Sequence, residues 1–423
     1  MSILEQLVSE IKIPKMVKVR QNFPRPVIRD IAKTIRAQVE RAEIAGRIKT
    51  GDKVAITIGS RGIENLLTIT KAVVGILKER GAKPFIIPTM GSHGGATAKG
   101  QVEVLKNLGI TEDTVGAPIR STMEVVVLGT TESGVPVYFD RYTATELDAT
   151  IVMGRIKPHT SFRGSYESGL AKMIVIGLGK QKGAEICHAT RLTNMSGRIE
   201  EMARVAIDKA NIAFAIGIIE NAYDETSKIV ALPKEKIMDE EPVLLVEARA
   251  NLPQILFERC HVLIVDEIGK NISGTGMDPN IVKRFTSDAI QCKPLTQRIV
   301  ALDLTKETHG NANGIGLADI CTERLYNKMD FYKTYPNPLT SRVLLSAKIP
   351  MVMDSDSQAI RAAIKTCLDV DYNNIRMIRI KNTMKLDEIY ISENMTDEAD
   401  KNPNIEILDH PMPMTFDEKG NLF

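Results

Sequence analysis

Strands alternating with amphipathic helices predict an α/β fold with parallel sheets, organised as two domains. Three observations predict it. Residues 51–110 run strand, helix, strand, helix; the pattern restarts after Leu252-Pro253; and 423 residues exceed what one hydrophobic core usually organises. The first strand is GDKVAITIGSRG, ending in a Gly/Ser turn. Leu66, Leu67, Ile69, Val73, Ile76 and Leu77 then recur at helical spacing up to a stop at Arg80-Gly81. KPFIIPTMG is the second strand, and Gly94-Gly95 is expected to open a helix carrying Val102, Val104, Leu105 and Leu108. Residues 121–140 read as a β-hairpin with Glu-Ser-Gly in its turn. DATIVMGRIKPH and IAFAIGIIENA read as strands, Gly197 to Lys209 and the segment ending at Leu252-Pro253 as helices. The expected domains are 1–252, completed by part of the tail 395–423, and 253–394. The second contains strands HVLIVDEIG and RIVALDL, helices GLADICTERLYNKM and SQAIRAAIKTCL, and a final hairpin, RMIRIKNTMKLDEIYIS.

Composition narrows the function. A net charge of +2 gives no reason to expect a nucleic acid or an anionic membrane as partner. The apolar runs are too short to span a bilayer, and MSILEQLVSEIKIPKM lacks the basic and apolar regions of a signal peptide. Five scattered cysteines, never in a CxxC pair, suit a reducing cytoplasm and argue against a disulfide framework or a zinc ribbon. Small-molecule chemistry in the cytoplasm is the expectation. Neither a GxGxxG nor an HExxH motif is present, which weighs against a nicotinamide-dependent oxidoreductase and a zinc hydrolase.

Three strand ends carry functional residue types: Arg61 in GSRG, His93 in GSHGG and His159 in RIKPH. A doubly wound sheet aligns such ends on one edge, where ligands bind. The most informative stretch is Met153 to His188. It sets Lys172 in an apolar run, Leu170 to Gly179, with His159 and His188 on either side. A lysine there snorkels to water, pairs with an acid such as Glu167, or is kept for chemistry as a buried amine. GSHGGATAKG is either a phosphate cradle, through Ser92 and Gly94, or a tight strand-to-helix turn. Lys270, before the loop SGTGMDPN, is a candidate carboxylate binder. Cys187 beside His188 is a possible metal donor or a buried bystander thiol.

GSRG, MGSHGG, RIKPH and the Lys172/His188 pair, 16 residues apart, resemble the nickel-pincer lactate racemase family along the whole chain. The resemblance implies a two-domain lactate racemase-like architecture. It implies an isomerase that racemises or epimerises a 2-hydroxy carboxylate by proton-coupled hydride transfer, through a 2-oxo acid. The implied cofactor is nickel pyridinium-3,5-bisthiocarboxylic acid mononucleotide, supplied by maturation enzymes and tethered to Lys172. His188 would ligate nickel, His93 and His159 would be the acid/base pair, Ser92 and Gly94 would contact the cofactor, and Arg61 and Lys270 the substrate. Imidazole titrates near the working pH and suits nickel, and an arginine fork matches a carboxylate. The sequence departs from the family's pattern in four places. Three extra residues separate His159 from Lys172, Thr160 replaces an aromatic, Ile58 an aspartate, and there is no Trp. These departures point to a substrate other than lactate, bulkier or more polar. Arg163, Tyr166 and Glu167 in the enlarged loop either read extra groups of that substrate or cap a longer surface loop. A non-catalytic paralogue that senses small acids is the alternative to an enzyme.

Overall fold

The computed structural model describes residues 2–423, which form two compact units: 25–252, and the residues up to Pro24 together with Pro253–Phe423. Each is an α/β assembly. Among the described residues no helix is long and apolar enough to cross a membrane.

In unit 25–252 the strands are β1 (Lys53–Ile58), β2 (Lys83–Pro88), β3 (Ala149–Arg155), β4 (Ile212–Glu220) and β5 (Thr226–Pro233). Their order in the sheet is β2-β1-β3-β4-β5. The first four are parallel and β5 runs antiparallel to β4. β1 is buried at successive positions, Val54 to Ile58, and all but Thr57 are apolar, because helices or loops cover both faces of a parallel sheet. Helix α1 (Leu66–Glu79) packs Ile69, Val73 and Leu77 against it in one contiguous core. The chain leaves β1 toward β2 on one side, whereas β3 lies on the other. The crevice between the ends of β1 and β3 is therefore the topological switch point where such sheets bind ligands.

The expected hairpin is present as Val125–Thr130 paired with Pro136–Asp140. One boundary moves. Helix α2 (Ala98–Asn107) starts after Thr97, whose hydroxyl accepts the Gly100 N–H, and Gly94–Ala96 forms a separate 3-10 turn before it. A threonine cap outcompetes two glycines because its side chain satisfies an end N–H that glycine leaves open.

The second unit holds an eight-stranded mixed sheet, and it corrects the expected allocation of the chain ends. Strand Met16–Gln21 pairs antiparallel with Glu388–Ser392 on one side and Ile405–Ile407 on the other, and Met16 bridges to Met412. The first 24 residues and the tail thus belong with residues 253–423 and not with 25–252. The alternation in MVKVRQ, with Val17, Val19 and Gln21 fully buried, is what this pairing needs. A second correction concerns GLADICTERLYNKM. Ile320–Thr322 is a buried strand, parallel to Arg298–Leu304 and Met351–Met353, and only Glu323–Asn327 is α-helical. Two open sheet positions override the helical spacing of Leu317, Ile320 and Cys321.

Candidate active site

The site is built where β2, β1 and β3 end side by side. Gly59-Ser60-Arg61 follows β1, Gly91-Ser92-His93 follows β2, and Lys157-Pro158-His159 follows β3. Thr57 Oγ1 takes the Met153 N–H at 2.8 Å, continuing the β1–β3 ladder by a side chain toward this edge. A single π-helical turn, Met173–Gly177, lies against these ends, entered from a short α-helical segment whose last residue is Lys172. A Cβ at Gly59 would come 2.9 Å from Met173 Cε, and one at Gly91 3.1 Å from Ile176 Cγ2. The glycines of GSRG and GSHGG therefore let both turns close onto the turn after Lys172. Such π-turns in helices recur at functional sites because they rotate one residue out of helical register.

The segment then continues into α3 (Lys180–Cys187), capped at its C-terminus by His188. Lys172, His159 and His188 are half-buried, whereas Arg61 and His93 are exposed. Burial, reinforced by Arg61 and Lys157 and opposed by Cys187 and Glu167, lowers Lys172 to about 8. Burial and then the Lys172 charge bring His188 down to about 4. His159 is held well below the ordinary histidine value by burial, then by Lys172, His188, Lys157 and Arg163. Arg61 is also lowered, by desolvation. Two neutral imidazoles and a partly neutral amine thus share a positively charged neighbourhood, which favours an anionic ligand.

The enlarged loop after His159 is organised by Glu167. Its fully buried carboxylate accepts the His159 N–H at 2.6 Å and the Gly164 N–H at 3.2 Å, and pairs with Arg249 at 2.9 Å and Arg163 at 3.5 Å. Arg163 also donates to the His159 carbonyl at 2.6 Å, and the Tyr166 hydroxyl donates to the Met238 carbonyl at 2.6 Å. All three loop residues bond within the protein. Phe162 supplies an aromatic that Thr160 does not: its ring stacks on His159 at 4.2 Å and lies 6.0 Å from Lys172 Nζ.

Three further groups escaped the sequence reading. Glu241, on helix α4 (Ile237–Ala250), accepts the Ala171 N–H at 2.7 Å and so caps the segment bearing Lys172; burial raises it to about 7. Lys180, fully buried, reaches the Pro88 carbonyl at 2.5 Å and Asp140 at 3.3 Å, tying α3 to the end of β2. Glu220, at the end of β4, pairs with Arg155 and accepts the Glu64 N–H at 2.7 Å, bracing the loop that carries Arg61. Position along the chain carries none of these contacts; only the fold brings the partners together.

Residues 6–199 match the family profile described as Lactate racemase N-terminal domain. That stretch is lactate racemase-like. The chain's fold is similar to that of the lactate racemase apoprotein from Thermoanaerobacterium thermosaccharolyticum, with a TM-score of 0.52 and 15% identity over 87% of this chain and 94% of that one. A protein from Thermotoga maritima solved in a structural genomics programme also has a TM-score of 0.52, at 13% identity over 84% and 96% of the two chains. No curated protein sequence matches.

The remaining candidates separate by position. Ser92 lies in the loop after β2. Gly94, at φ +68°, packs so tightly on α2 that a Cβ would fall 2.5 Å from the Gly100 carbonyl carbon, which accounts for the glycine without a ligand. Cys187 is a buried thiol 3.6 Å from Met195 Sδ, raised to about 11 by burial. Lys270 belongs to the other unit, where its N–H meets Thr308 Oγ1 and its ammonium the Gly274 carbonyl, each at 2.9 Å.

Proposed function

We propose that the protein inverts the hydroxyl-bearing carbon of a 2-hydroxy carboxylate, using a nickel-pincer nucleotide tethered at Lys172. The observation that carries this reading is Lys172 itself, an amine lowered to about 8 and flanked electrostatically by two neutral imidazoles at a sheet switch point.

The residues fit the cofactor. An amine lowered to about 8 has a nucleophilic fraction at neutral pH, as forming a covalent tether requires. His188 is neutral above about 4 and so presents a ligand suited to nickel. The surplus of cations, Arg61, Lys157, Lys172 and Arg163 beside Glu167, suits the nucleotide's phosphate and the substrate's carboxylate. Among the described residues no three His, Cys, Asp or Glu side chains gather as a metal site, so a lone imidazole fits a metal whose other donors come from the organic ligand. When bound, the nucleotide supplies a two-electron acceptor for the hydrogen on the hydroxyl-bearing carbon.

The chain's own residues do the rest. Arg61 grips the carboxylate and fixes which faces of the substrate meet His93 and His159. These two imidazoles serve the substrate hydroxyl group from their separate strand ends. Glu167 and Phe162 hold His159 in place, and Glu241 holds the Lys172 turn. Supply of the cofactor depends on maturation enzymes acting on the unloaded chain.

A panel of 2-hydroxy acids deuterated at the hydroxyl-bearing carbon tests the proposal on the nickel-loaded protein. Inversion that retains the label on that carbon is the expected result. Washout of the label into water overturns the hydride route. Thermal stabilisation by panel members without any inversion overturns the enzyme reading in favour of a sensor.

A further inference from the structure

His93 and His159 meet their backbones in opposite senses. The Ser161 N–H lies 3.0 Å from His159 Nδ1. An amide N–H only donates, so Nδ1 accepts and the proton of the neutral ring sits on Nε2. His93 Nδ1 lies 2.9 Å from the Met90 carbonyl oxygen, which only accepts. Here Nδ1 carries the proton and Nε2 carries the lone pair.

Both contacts are built into their loops. Phe162 stacks on the His159 ring with an interplanar angle of 29°, and Glu167 holds the His159 amide at 2.6 Å. On the other side Gln101 donates to the carbonyls of Gly91 at 3.0 Å and His93 at 3.4 Å, bracing the turn that offers Met90 to the ring. Turning either ring over would give up its backbone bond.

We infer that the two histidines are not interchangeable bases: His93 is the proton acceptor, and His159 is an N–H hydrogen-bond donor. This rests on the reading of the site proposed above. In the proton step the substrate O–H bond breaks, its electron pair stays on oxygen, and the new N–H bond forms at His93 Nε2. The resulting imidazolium keeps its Nδ1–H on the Met90 carbonyl. His159 Nε2–H donates to the substrate oxygen without giving up its proton. For His159 to act as a base, its proton must first move from Nε2 to Nδ1, and the Ser161 bond is then lost.

Nitrogen NMR of the full chain with labelled histidine, without cofactor and at about pH 9, where histidine is neutral, reads the tautomers directly. The six histidines allow His93→Gln and His159→Gln to assign the two rings. Expected are a protonated Nε2 in His159 and a protonated Nδ1 in His93. The same tautomer in both rings overturns the inference. On the loaded protein, His159→Gln keeps an N–H near the Nε2 position and stays within about tenfold of the parent. His93→Gln, which has no base, loses roughly two to four orders of magnitude. Equal losses overturn the division of roles. A failure of the cofactor reading would appear separately, as the absence of a mass adduct, and would leave the tautomer result legible.

Discussion

Replacing Lys172 by methionine is expected to stabilise the protein. The side chains are similar in length, so packing changes little, but the buried amine is removed. The lysine goes from 10.5 in the unfolded chain to about 8 in the fold, first through burial and then through Arg61 and Lys157. The folded state therefore disfavours the charged form. The penalty is fully present below pH 8, where both states are protonated, shrinks as pH rises to 10.5, and is gone above it. At pH 7 it amounts to roughly 3 kcal/mol. In a unit of this size that corresponds to an increase of roughly 5–10 °C in the unfolding midpoint. Calorimetric scans of the unloaded parent and Lys172→Met at pH 7 and near pH 10 measure it. The variant should unfold at higher temperature at pH 7, with the gap closing at the higher pH. A variant less stable than its parent at pH 7, or a gap independent of pH, would refute the claim that the fold holds a strained amine for chemistry.

Two more outcomes follow from the same geometry. Burial raises Glu241 from 4.5 to about 7, so its carboxylate is penalised in the fold and its contribution to stability falls as pH rises through that interval. Glu241→Gln should remove that slope, worth roughly 3 kcal/mol, in urea unfolding at pH 5 and pH 8; identical slopes in parent and variant would exclude it. Arg61→Lys, which replaces a two-pronged donor by a point charge, should lower kcat/KM for a 2-hydroxy acid by about tenfold to a hundredfold, chiefly through KM. An unchanged KM would remove Arg61 from the carboxylate's binding site.

Much of the site was legible because it lies at strand ends. GSRG, GSHGG and RIKPH each follow an apolar run, and parallel pairing of β2, β1 and β3 brings them to one edge. Lys172 stood out as a charge within apolar sequence. Its π-turn did not, since nothing in MIVIG separates a π-turn from an ordinary helix. In sequence Glu241 and Glu220 are ordinary acids of a helix and a strand end; their partners, Ala171 for Glu241 and Arg155 with Glu64 for Glu220, are brought to them by the fold alone. The misallocated first strand has a similar cause. The alternation in MVKVRQ shows that a strand forms, but its partners lie more than 360 residues along the chain, as Arg20 paired with Glu388 illustrates. Phe162 is not legible as the stacking aromatic, because the family's pattern sets one at position 160 and the enlarged loop delivers it from two residues further on.

The covalent role of Lys172 is the central claim, and intact-mass measurement after co-expression with the maturation enzymes tests it most directly. The parent chain should carry an added mass equal to the tethered nucleotide, and Lys172→Ala should carry none. An adduct that persists on the alanine variant, or a parent chain that stays unmodified beside a lactate racemase loaded in the same cells, would contradict it.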